Sequence, residues 1–340
     1  MTPSRNIRLL LASARVANLP SVIGNTWLGV ALAAWTGTFF ARSYPVAAAA
    51  AWLLPAGIAL YLGGNFLNDW RDREWDARYR PERALPQGAF RPATYLAVGL
   101  GLLVAGVLCA VSFQWESGVV AGLIALSITG YTIWHKRHPA SVALVGLCRA
   151  LLPLMALAGP MTGLLYRDLG PAAFWLAVPS LALLCHVAGL SARARHESAG
   201  TETGGLTFAI VTLSAAGPLM LAAAIMTVPG IAHTLLLPAF GVWVVWTTLA
   251  LARFRLAPGR QVAALLAGIP LLDWIVLLPL GDTCLSLAFL KPLVAIRPPG
   301  AVADLFPDFA ALETVGVVSL LLPPLAFLTG LALQRLAPAT

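Results

Sequence analysis

Charge is what this chain has least of. Only 11% of its 340 residues are Asp, Glu, Lys or Arg, and 59% are hydrophobic. Soluble domains carry roughly 25% charge, so a water-soluble globule is excluded and an all-α integral membrane protein is predicted, because apolar runs of ~20 residues cross bilayers as helices. Cysteine is sparse too. Cys109, Cys148, Cys185 and Cys284 lie far apart with no CxxC pair, which excludes a disulfide framework or a zinc ribbon and leaves small hydrophobes. Lysine is nearly missing: two of twenty-two bases, the rest arginine. The formal net charge of +8 comes with no basic stripe interleaved with aromatics, so no nucleic-acid partner is expected. The bases sit between apolar runs, where they report topology and anionic headgroups.

Apolar runs predict spans at about 18–40, 45–68, 93–113, 117–135, 139–160, 171–191, 206–228, 231–252 and 261–281, with a tenth at about 311–334. Arg5, Arg8 and Arg15 precede the first run, which at about 22 residues exceeds a signal-peptide core and reads as a retained span. Sixteen of the twenty-two bases fall in alternate loops: before the first span, in 69–92, at Lys136 and Arg137, at Arg193 and Arg195, and at Arg253, Arg255 and Arg260. The positive-inside rule then puts the N-terminus and those loops in the cytoplasm. Residues 282–310, with Lys291, Arg297, Asp304 and Asp308 among prolines, break any clean crossing and read as an external loop or short re-entrant piece. Two charges lie deep inside spans, Arg149 and Asp273. A charge at that depth costs at least ~2.5 kcal/mol on insertion scales. Arg149 is therefore expected to face a polar cavity, or else to belong to a structural ion pair or snorkel near a tilted helix end.

Residues 65–92 hold five of the fourteen acids and six of the bases directly after an apolar run. On a helix, Asn68, Asp72 and Asp76 stand at i, i+4 and i+8, on one face with about 40° of drift per step. One amide and two carboxylates there supply hard oxygen ligands of the kind Mg2+ takes alongside substrate phosphates. Arg71, Arg78, Arg80 and Arg83 flank the acids, and Lys136 and Arg149 are candidates to approach phosphate from other helices. The plain alternative is a solvated amphipathic helix held by pairs such as Glu74 with Arg78.

The pattern Asn68-Asp69-x-x-Asp72-x-x-x-Asp76, followed by Arg80-Pro81-Glu82-Arg83-Ala84-Leu85-Pro86-Gln87-Gly88, resembles the first aspartate-rich motif of the UbiA superfamily of intramembrane prenyltransferases. Arg15-Val16-Ala17-Asn18-Leu19-Pro20 at the first span and Tyr131-x-x-x-x-Lys136 after the fourth fit in order, over roughly residues 12–280. The stretch Gly146-Leu147-Cys148-Arg149 is similar to the EboC-like branch. The resemblance implies nine core helices around a lipid-open cavity, a domain over 1–281, and an added loop and tenth helix over 282–340. It implies Mg2+ held on a prenyl diphosphate that ionises and alkylates a small, aromatic or polyol acceptor. Asn68, Asp72 and Asp76 would be metal ligands, Lys136 and Arg83 diphosphate contacts, and Asn18 a contact to metal or substrate. The setting would be a bacterial inner membrane.

One departure is sharp. After the sixth span the family usually carries a second set of aspartates. This chain has Ser191-Ala192-Arg193-Ala194-Arg195-His196-Glu197, then Glu202, and no Asp. Either Glu197 and Glu202 supply oxygens, His196 a donor, and Arg193 and Arg195 neutralise phosphate directly, or the second half of the clamp is degenerate. The second case leaves a binding or transport protein for a lipid or small metabolite on the same fold. A CDP-alcohol phosphotransferase would need D-G-x-x-A-R followed by G-x-x-x-D-x-x-x-D, which is missing.

Overall fold

The computed structural model describes residues 3–39, 43–135, 138, 140–199, 203–228, 230–255, 257–289 and 309–336. A short helix α1 (Pro3–Ser13) leads through a 3-10 turn into α2 (Leu19–Phe39). There follow α3 (Val46–Tyr79), α4 (Pro92–Phe113), α5 (Trp115–Trp134), α6 (Ser141–Leu165), α7 (Gly170–Ala199), α8 (Thr203–Thr227), α9 (Leu236–Arg253), α10 (Pro258–Ala267), α11 (Ile269–Ala288) and α12 (Phe309–Leu336). Ten segments among the described residues are long and apolar enough to cross a membrane. The protein is a multi-pass membrane protein.

Its surface is built for hydrocarbon. On α4, Leu100, Val104, Leu108 and Val111 stand exposed along one helical stripe, and Leu321, Leu325 and Leu328 do the same on α12. Such rows are stable only against lipid. The interior is carried by α2 and α11, where Leu28, Ala31, Leu32, Leu272, Ile275 and Leu277 are fully buried. Lipid gives no hydrophobic reward for bringing helices together, so close approach falls to small residues. A methyl at Gly29 would run into the Pro153 backbone of α6, and one at Gly63 would sit 2.9 Å from the Gly99 carbonyl of α4. Gly281 and Gly316 join α11 to α12 in the same way. The last helix is further held by Trp27 Nε1 donating to Ser319 Oγ at 3.1 Å and Gln334 donating to the Ala263 carbonyl at 2.8 Å.

Three helix boundaries differ from the sequence expectation. The second span does not end at 68: α3 runs 34 residues to Tyr79, about 51 Å at 1.5 Å per residue, so it overshoots a ~30 Å hydrocarbon core and carries the charged island on its projecting end. The sixth likewise runs past 191 to Ala199. The ninth is broken, with α10 ending and α11 beginning around Gly268 and Pro270. Proline supplies no N–H and is tolerated in the first turn of a helix. The carbonyls of the last turn of α10 are taken by side chains: Trp246 donates to Ala264 at 2.9 Å, and a ring nitrogen of the fully buried His186 lies 3.2 Å from Leu265.

Candidate functional site

The projecting end of α3 presents two parallel rows. Tyr61, Asn65 and Asp69 recur every four residues, and so do Asn68, Asp72 and Asp76. Arg15 reads the first row: its guanidinium donates to Asn65 Oδ1 at 2.7 Å and to Asp69 Oδ1 at 3.3 Å, while its carbonyl accepts from the Tyr61 hydroxyl at 3.0 Å. To make these contacts Arg15 takes a left-handed backbone, φ 46°, a conformation that costs a non-glycine residue about 1 kcal/mol. Burial by itself would lower the Arg15 guanidinium, but Asp69, with Tyr61, Tyr131 and Asp72, more than offsets it and raises it above the ordinary arginine value. The charge is therefore held.

Arg83 lies in the turn after α3, which folds back over the helix and ends at Gly88 with φ 66°. It donates to Asp76 Oδ2 at 3.0 Å and to Asp69 Oδ1 at 3.2 Å. Those acids are seven residues apart, two turns along the same side. Asp69 and Asp76 are thus neutralised by Arg15 and Arg83. Asp72 instead meets His135 Nε2 at 3.2 Å and the Asn68 amide at 3.4 Å. Glu74 pairs with Arg73 at 3.2 Å, where the sequence offered Arg78.

Beside Asp72 opens a cavity of about 270 Å³ lined by Arg71, Asp72, Glu74, Trp75, Arg78, Thr132, Ile133 and His135. At ~30 Å³ per water that is room for a diphosphate head and an ion, with any long tail left outside. Two buried polar atoms nearby have no hydrogen-bond partner, Asn68 Oδ1 and Thr132 Oγ1. An orphaned amide oxygen one turn from a carboxylate is a pair of hard donors, the set Mg2+ takes when phosphate and water complete its shell. The residues present fit that ion. Among the described residues no group of three or more His, Cys, Asp or Glu converges on one point, so the protein alone offers a partial shell.

The other expected residues fall in three groups. Asn18 is buried at the head of α2, its carbonyl accepting from Ser21 Oγ at 2.8 Å. Arg149 is buried in α6, donating to Asn25 Oδ1 at 3.1 Å with its guanidinium 5.4 Å from the Tyr61 ring centre. Arg193 is tied away, Nε donating to the buried Gln261 Oε1 of α10 at 2.8 Å, while the Gln261 amide donates to the Leu251 carbonyl. The side chains of Arg195, His196 and Glu197, on the last turns of α7, lie outside the described residues, as do Lys136 and Glu202 altogether. The sequence reading passed over Arg15 as a charge partner and over His135. His135 stacks on Tyr131 at 5.1 Å; its one sequence signal was its place four residues after Tyr131.

Residues 22–290 match the model of the UbiA prenyltransferase family. This chain belongs to that family. UbiA prenyltransferases generally use Mg2+ through acidic motifs. Its relatives include the digeranylgeranylglyceryl phosphate synthase of Halobacterium salinarum, 32% identical over 121 residues, 34% of this chain and 42% of the relative. The synthase of the same name from Natronomonas pharaonis is 26% identical over 133 residues, 39% of this chain and 45% of the relative. The chain spans less than half the length of these curated relatives. A solved structure of a digeranylgeranylglyceryl phosphate synthase in membranes superposes with a TM-score of 0.53 at 18% identity, covering 81% of this chain and 97% of that one. At that identity the likeness establishes the UbiA-type membrane fold.

Proposed function

We propose that this chain transfers a prenyl group from an allylic prenyl diphosphate to an oxygen of a small, polyol-type acceptor, with Mg2+ on the diphosphate. The observation that carries the reading is the Asn68–Asp72 pair, an orphaned amide oxygen on the side chain that bonds a carboxylate, that carboxylate lining a diphosphate-sized cavity whose wall includes Arg71 and Arg78. The polyol class is supported by the glyceryl phosphate products in the relatives' names, whose glyceryl part is a polyol. The transferase bundle is residues 1–281, with α12 as an added brace, set in a bacterial inner membrane with the aspartate rows cytoplasmic.

In this reading Asn68 and Asp72 would hold the ion, with Asp76 on the next turn. Bound there, Mg2+ would offset negative charge on the diphosphate. Arg71 and Arg78 donate to its oxygens, and Lys136, Arg83 and Asn18 are the further candidates to reach it. His135 holds the Asp72 carboxylate in place. The carbon–oxygen bond to diphosphate breaks with its electron pair leaving on the diphosphate. The acceptor oxygen then bonds to the allylic carbon, and its proton passes to solvent or the leaving group. Preorganised charge of this kind is worth ~10²–10³ in rate per donor lost.

Purified protein with Mg2+, geranylgeranyl diphosphate and membrane extract should release pyrophosphate and yield a new prenylated lipid, and Asp72→Ala should lower that rate at least ~10²-fold. An Asp72→Ala protein as fast as wild type would sink the assignment. A second reading, a lipid or metabolite carrier, is favoured by one observation: Arg193, a candidate to replace the second acidic motif, is committed to Gln261. Prenyl diphosphate binding without pyrophosphate release across several donors and acceptors would select it.

A further inference from the structure

The aspartate rows leave unused a second set of buried charges. Asp273 and Asn25 are fully buried and Arg149 nearly so, on three different helices, α11, α2 and α6. The two charges do not touch. Arg149 Nη1 donates to Asn25 Oδ1 at 3.1 Å, and Asn25 Nδ2 donates to Asp273 Oδ2 at 2.7 Å. Asp273 thereby dictates which way the Asn25 amide faces, and the amide dictates where the guanidinium sits. The other side of that guanidinium faces the Tyr61 ring, whose hydroxyl donates to the Arg15 carbonyl at 3.0 Å, and Arg15 holds Asp69. One aromatic ring therefore separates this trio from the aspartate rows.

A pair kept only for structure would be expected to close on itself, because every unmade bond at this depth is costly. This one does not. Asp273 Oδ1 is buried without a hydrogen-bond partner, and the Arg149 guanidinium reaches a hydrogen-bond acceptor among the described residues through Nη1 alone. Donors and an acceptor are left over in a site whose formal charges cancel. An anion bound there would add an uncompensated charge in a low-dielectric interior and would face Asp273. A hydroxyl, which both accepts and donates, matches what is left over. Asn18 at the end of the 3-10 turn, with Ser21 and Asn25 on α2, at i, i+3 and i+7, set polar side chains from the helix head to this point.

We infer that Arg149 binds the hydroxyl of an uncharged alcohol acceptor, with Asn25 and Asp273 as positioning residues. The inference rests on the reading that a prenyl acceptor enters beside the aspartate rows, and it narrows that acceptor to a neutral alcohol.

The test uses the full chain in detergent with excess magnesium pyrophosphate to fill the aspartate mouth. The probes are a prenylated glycerol and its phosphate monoester, with binding followed by calorimetry. Wild type should bind the alcohol more tightly than the phosphate. Arg149→Met should weaken the alcohol at least tenfold. Asp273→Asn, which keeps shape and removes the negative charge, should reverse the order of the two probes, a change that loss of packing would not produce. Equal weakening of both probes in both variants would mean a structural trio and overturn the proposal. So would a wild type that prefers the phosphate or binds neither. Should both variants fail to fold, the wild-type preference decides. Asp72→Ala should lower pyrophosphate release at least ~10²-fold and leave alcohol binding intact, which separates failure of this subsite from failure of the transferase reading.

Discussion

Arg83 touches two carboxylates that lie two turns apart on α3, and its loss strands Asp76 while Asp69 keeps Arg15. Removing one partner of a buried pair costs ~3–5 kcal/mol, and with the Arg83 side chain 19% exposed solvent screening brings this to about 2 kcal/mol. Arg83→Gln should lower the melting temperature in detergent, and adding Asp76→Asn should recover part of the loss, as coupled neighbours do. Additive losses would show that the contact carries no coupling. Asn68 and Asp72 were legible in the sequence because helical period alone aligns them. The binding of Asp69 by Arg15 was not, since it joins residues 54 apart and needs a left-handed turn at a non-glycine. The bond from Arg193 Nε to Gln261 was hidden for a related reason: it forms only once α10 folds in against α7.

Between elements, glycine contacts set how closely helices approach, and they give paired controls. Gly29 meets the Pro153 backbone, whereas Gly101 on α4 has open space. Gly29→Val should cost about 2–3 kcal/mol by overpacking and reduce the monodisperse yield, while Gly101→Val should behave as wild type in size-exclusion chromatography. Equal behaviour of the two would mean that the α2–α6 crossing does not depend on close approach. Spans were readable as apolar runs, but their ends were not. Charge was taken as a sign of loop, and α3 and α7 continue as helices through it because Asn68 to Tyr79 and Ala192 to Ala199 contain no proline or glycine. The Gly268-Ile269-Pro270 triplet did signal the break before α11, yet the surrounding hydrophobicity hid it.

For the whole molecule, alternating loop charge predicts which side each turn faces. In a cysteine-free background, Asp168→Cys should react with a membrane-impermeant maleimide from outside intact cells, and Glu82→Cys should react only after the inner face is exposed; both residues are on the surface. The reverse pattern would invert the topology. The number of crossings and the presence of one clamp segment were open to a reader of the sequence, since each rests on composition or short spacing. The Arg149–Asn25–Asp273 trio was not, because its members are drawn from three spans 124 residues or more apart in pairs involving Asn25. The length of α3 has a mechanical corollary. As one continuous helix reaching past the hydrocarbon, it makes the height of Asp72 above the lipid depend on tilt, and tilt answers to bilayer thickness. In nanodiscs of graded acyl length, turnover should pass through an optimum, falling where thick bilayers draw the cavity down among the headgroups and where thin ones lean the helix away from His135.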